Sequence, residues 1–205
     1  MMVSALDALN RLRDGNRRFA ANQPSHGEDA ESRRQELTRG QQPFAIILGC
    51  SDSRVPAEII FDQGLGDLFV IRVAGNIVAP SQIGSVEFAA TRFGTRLVVV
   101  LGHSQCGAIG ETVNQLQSPA EENSRNIGTI VDFVRPSVIA VMDSSLDLDE
   151  LTARAVRENV RTSAEQMRHG SEIIETLERD EGLVIVGAEY SLESGRVDFF
   201  DGVPQ

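Results

Sequence analysis

The chain has two cysteines, Cys50 and Cys106, and three histidines, His26, His103 and His169. Cys50 opens the stretch Cys50-Ser-Asp-Ser-Arg54, while His103 and Cys106 share Gly102-His-Ser-Gln-Cys-Gly107. Two thiolates and an imidazole are favoured zinc ligands, and zinc prefers four-coordinate tetrahedral geometry. A Cys₂His set fills three positions and leaves the fourth for water or substrate, which is the catalytic pattern. Asp52 is the fourth candidate. Its carboxylate reaches either the metal, which closes the site, or the guanidinium of Arg54, whose planar fork suits a bidentate pair. The second arrangement leaves the metal free to carry water. His26 falls in a polar loop and His169 at a helix end beside Gly170, so neither joins the set.

Simpler readings compete. A lone cysteine at the end of a buried strand is usually a small hydrophobe. A redox pair lacks support because the chain has no Cys-x-x-Cys. A closed structural zinc held by Cys50, Asp52, His103 and Cys106 would satisfy all four positions. Against it, a chain of 205 residues buries enough surface to fold without a metal staple.

These side chains matter only if the fold brings them together. Phe44 to Leu48, Leu68 to Ile71, Leu97 to Leu101 and Leu183 to Val186 are continuous apolar runs. Such runs are what strands buried on both faces require. Helical patterns separate them: Pro56–Phe61, Ser81–Phe93, Ala108–Leu116, Asn123–Val134, Leu151–Met167 and Ser171–Leu177. Strands alternating with helices predict an α/β fold with a mostly parallel four-stranded sheet. The tail after Gly195 follows a short turn-rich link and predicts an antiparallel C-terminal edge strand. Leu6, Leu9, Leu12 and Phe19 at helical spacing make residues 1–40 an N-terminal helical arm. Residues 41–205 then form the α/β domain, in one domain overall. Cys50 follows the first strand and His103 the third. A strand order of 2-1-3-4 sets these strands side by side at the reversal, where open α/β sheets carry their ligands.

Composition narrows the partners. Thirty acidic and nineteen basic side chains give a net charge of −11, a poor match for nucleic acid or an anionic membrane. Every basic residue is Arg. The absence of Lys removes Schiff-base catalysis and the phosphate-binding lysine of a P-loop. No apolar run approaches the ~18 residues of a membrane span. A soluble protein in a reducing cytoplasm is the expectation, where paired cysteines suggest metal or catalysis before a disulfide.

Taken together, Cys50-Ser-Asp-Ser-Arg54 and Gly102-His-Ser-Gln-Cys-Gly107 resemble the paired signature of the β-class carbonic anhydrases. The likeness extends through Phe61–Val70, the Arg72-Val-Ala-Gly-Asn76 loop, Gly84–Phe88 and Val186–Tyr190, and is weakest across Leu116–Ser171. It implies a zinc enzyme interconverting CO2 and bicarbonate through zinc-bound hydroxide. Cys50, His103 and Cys106 match the family's zinc ligands, and Asp52 and Arg54 its catalytic dyad. Asp52 also matches the fourth ligand of an inactive form. Gln41 matches a substrate-orienting glutamine, Phe69 and Phe88 an apolar pocket wall, and the Gly107 N–H a substrate donor. The resemblance implies a homodimer or dimer of dimers, with active sites at the interface and the N-terminal helix crossing onto the partner. Some bacterial members carry a bicarbonate side pocket built on a Trp before the first cysteine; this chain has Ile47 there and no Trp. Hydrolysis of CS2 or COS on the same scaffold, or a non-catalytic zinc module, are the alternative functions.

Overall fold

The computed structural model describes residues 3–25, 30–117, 124–143 and 145–204; His26 and Asn123 lie outside them. A five-stranded sheet runs through the centre in the order β2-β1-β3-β4-β5. Its strands are β1 (Ala45–Gly49), β2 (Leu68–Arg72), β3 (Leu97–His103), β4 (Val184–Tyr190) and β5 (Val197–Asp201). The first four are parallel, and β5 pairs antiparallel with β4. The order 2-1-3-4 and the antiparallel edge expected from the sequence are both present.

The central strands β1 and β3 are buried along their whole length. Alternate residues turn to opposite faces. Leu97, Val99 and Leu101 join the core beneath α1 (Ala5–Ala20) and α3 (Ala57–Ile60). Val98 and Val100 join the core beneath α4 (Pro80–Arg92), α7 (Leu148–Arg168) and α8 (Glu172–Glu181). A third cluster gathers Cys50, Cys106 and Ile77 with α5 (Gly107–Gln117), α6 (Arg125–Val141) and α7. The α6 helix continues through Pro136, beyond the predicted end at Val134.

The arm is part of the core. Leu9 and Leu12 of α1 are fully buried against the sheet. Each contributes roughly 1.5–3 kcal/mol of apolar burial. Asn16 donates to the carbonyls of Ile60 and Gly195 and accepts from the Val197 N–H. Gly15 makes the close approach possible, because a Cβ there would lie 1.8 Å from the Phe61 carbonyl oxygen. On its own chain the helix packs through Ala5, Ala8, Leu9 and Leu12, while Leu6 is left 45% exposed.

Candidate metal centre

Parallel β1 and β3 end side by side, with Gly49 opposite Leu101. Cys50 is the first residue past β1, His103 is the last residue of β3, and Cys106 immediately precedes α5. Both loops therefore open at the carboxyl edge, where strand order reverses. The ligand atoms of Cys50, His103 and Cys106 lie within 4.8 Å of one another, and all three residues are buried. Among the described residues, this is the one metal-compatible group of three or more Cys, His, Asp or Glu side chains.

The donor set fits a cation. Both cysteines are free thiols, with their sulfurs 4.0 Å apart. Zn–S bonds of about 2.3 Å in a tetrahedron put two sulfurs roughly 3.8 Å apart. His103 is fully buried, and its Nδ1 lies 2.9 Å from the Ser104 carbonyl oxygen. That bond fixes Nδ1 as the protonated nitrogen and leaves Nε2 an acceptor. Nε2 is buried with no hydrogen-bond partner. An orphaned acceptor facing two thiols is what a metal ion satisfies. Ser104 anchors the loop, donating its N–H to the Tyr190 carbonyl and accepting from the Leu192 N–H.

The thiols differ in charge. A hydrogen bond from Cys106 does most to bring Cys50 down to about 4, against burial and with help from the Gly75 N–H. Cys106 is pushed up, first by that same bond and then by burial beside the Cys50 thiolate. The pair therefore holds one proton between two sulfurs at neutral pH.

Asp52 is held by arginine. Arg54 Nε and Nη2 donate to its two carboxylate oxygens at 3.0 and 2.7 Å, and the Arg54 backbone N–H adds a third bond at 2.9 Å. These hydrogen bonds keep the carboxyl well below the usual carboxylate range. Asp52 Oδ2 lies 3.8 Å from His103 Nε2, so the carboxylate borders the metal position while Arg54 occupies both its oxygens. Arg54 also donates to the carbonyl of Gln105, linking the two ligand loops. Gln105 itself has a left-handed backbone, φ 55°.

Two residues without an assigned role complete the loop. Arg72, at the end of β2, donates to the carbonyls of Cys50 and Asp52 at 3.0 and 2.6 Å. Gly75 donates its N–H to Cys50 Sγ at 3.4 Å. Both lie in the Arg72–Asn76 stretch that carries part of the resemblance, but their partners cannot be read from spacing.

The expected substrate residues divide. Gly107 opens α5 directly after Cys106, where helix N–H groups lack intrahelical partners. Phe69, Phe88 and Gln41 do not join the chain's own metal ligands. Phe69 sits opposite Ile46, four residues before Cys50 and so roughly 13 Å back along the strands. It packs with Phe88 and Phe93 at centroid distances of 6.3 and 6.1 Å, and those two rings stack edge-on at 5.7 Å. Phe88 is 53% exposed. Gln41 is exposed and lines a shallow groove with Leu37 and Gly66.

Residues 45–197 match the family model described as carbonic anhydrase. This chain belongs to the β-carbonic anhydrase family. It is 42% identical over 192 residues to a carbonic anhydrase of Mycolicibacterium smegmatis, covering 93% of this chain and 91% of that one. It is 40% identical over 197 residues to carbonic anhydrase 2 of Mycobacterium tuberculosis, covering 96% and 93%. The solved β-carbonic anhydrase CcaA shares 28% identity at a TM-score of 0.72, over 96% of this chain and 92% of that one.

Proposed function

We propose that this protein is a zinc carbonic anhydrase interconverting CO2 and bicarbonate. The supporting observation is the convergence of Cys50, His103 and Cys106 beside the Asp52–Arg54 pair. Soft thiolates with an imidazole favour zinc over hard cations. A bound zinc ion supplies Lewis acidity and activates water near neutral pH.

The chain's own groups do the rest. Asp52, kept ionised by Arg54, accepts a hydrogen from the attacking water and aims its lone pair at the carbon of CO2. Gly107 offers an N–H to a substrate oxygen. The reaction joins one water to CO2 and releases bicarbonate and a proton. Released from Arg54, the Asp52 carboxylate would be placed to hold the metal as well and so close the site. Free buried thiols suit a reducing cytoplasm. Among the described residues, no helix is long and apolar enough to cross a membrane.

Phe69, Phe88 and Gln41 form the substrate wall of a neighbouring copy, making the enzyme a homodimer or dimer of dimers. The Phe69–Phe88–Phe93 cluster, with the Phe88 ring half exposed, supports this reading, since contiguous apolar patches mark interaction surfaces.

Stopped-flow CO2 hydration beside metal analysis tests the proposal. The parent carries about one zinc per chain and hydrates CO2, while His103→Ala and Cys106→Ser lose both. Full hydration by a zinc-free variant rejects it.

A further inference from the structure

One buried polar side chain lies outside the two ligand loops and has no part in the chemistry above. Asn159 sits on α7 and is 2% exposed. Its Nδ2 donates to the carbonyl of Gly75 at 2.8 Å. Gly75 in turn donates its N–H to Cys50 Sγ. An amide on a distant helix is therefore one residue removed from a ligand sulfur.

The intervening backbone needs holding. Gly75 and the following Asn76 both lie in the left-handed region, with φ 70° and 43°. For a non-glycine residue that conformation persists only where the surroundings impose it. The Nδ2 of Asn76 is buried and has no partner, so it does not supply the clamp. A Cβ at Gly75 would press on Ala108 and Val134, each at 3.3 Å. The turn is thus packed from α5 and α6 and hydrogen-bonded from α7.

We infer that Asn159 is a positioning residue of the metal centre. It fixes the Gly75 turn so that the N–H points at the Cys50 sulfur, and that bond orients the sulfur toward the metal position. Groups that orient a ligand affect metal affinity by about 10–100-fold. Asn159 belongs to the stretch where the family resemblance is weakest, so no motif points to it. The inference rests on the metal-centre reading.

The test uses Co²⁺ as the probe on the full chain, read by thiolate-to-cobalt absorption and by competition with a chelator. Asn159→Leu removes the donor at nearly constant size. Met167→Ala, on the same helix but in the core beneath α4 and α8, controls for lost stability. The expected result is about tenfold weaker Co²⁺ binding and a shifted charge-transfer band in N159L, with both unchanged in M167A. Affinity within twofold of the parent in folded N159L overturns the inference, as does a loss that M167A matches. If N159L does not fold, Asn159→Ser replaces it under the same criteria, its hydroxyl being too short to reach Gly75. A parent that binds no Co²⁺ overturns the metal-centre reading itself, and that failure shows in the parent alone.

Discussion

Arg54 grips the carboxylate of Asp52 from three nitrogens, its backbone N–H, Nε and Nη2, although the residues are only two apart in sequence. Both oxygens are engaged by the same partner. The orientation of Asp52 is therefore set before any substrate arrives, and its negative charge is secured.

Replacing Asp52 by Asn keeps the shape and removes the acceptor charge. Metal content should match the parent, because Cys50, His103 and Cys106 remain. Turnover should fall by about 10²-fold or more, the usual scale for a positioned acid–base group. Metal analysis with stopped-flow hydration on one sample checks this; an unchanged rate removes Asp52 from the mechanism.

Arg54→Ala tests the pair through acid stability. A carboxyl whose pKa is lowered in the fold adds stability above its unfolded value, about 4, and that contribution disappears as pH falls through the lowered folded value. The gap in melting temperature between parent and R54A should stay constant from about pH 5 to 8 and shrink below about 4. The gap should be small, because Arg54 is half exposed and solvent screens the pair. A gap that widens on acidification contradicts the assignment.

Phe88→Glu places a charge on the exposed ring position of the aromatic cluster. The variant should elute as a smaller species than the parent in size-exclusion chromatography and lose hydration activity, while keeping its metal. A variant that holds the parent's assembly and rate shows that Phe88 serves no neighbouring site.

Gly15→Ala drives a methyl into the Phe61 carbonyl. Overpacking of this kind costs about 1–3 kcal/mol. A loss of that size lowers the melting temperature of a chain this long by roughly 2–12 °C. Thermal unfolding followed by circular dichroism measures it, and the folded fraction should keep the parent's zinc content.

What could be read from the sequence is what composition and order encode. Continuous apolar runs marked β1 and β3 as doubly buried, and alternation with helices set their neighbours. Cys50 and His103 then had to meet, because each follows a strand and those strands adjoin. Arg72 and Asn159 were not legible in the same way. Their partners are main-chain carbonyls of Cys50, Asp52 and Gly75, and a carbonyl is common to every residue. The surface that receives α1 was not legible either: an amphipathic pattern states that a face is buried, not on which surface. Residue spacing was likewise silent on the distance between Phe69 and the sulfurs, which register alone determines.

The two sulfurs carry a single hydrogen between them before any cation enters. Seating the ion must expel it, so loading is itself an acid-releasing event. Occupancy then tightens about tenfold for each unit of alkalinity over the range where that hydrogen is bound. Acidification therefore loosens the hold on the metal.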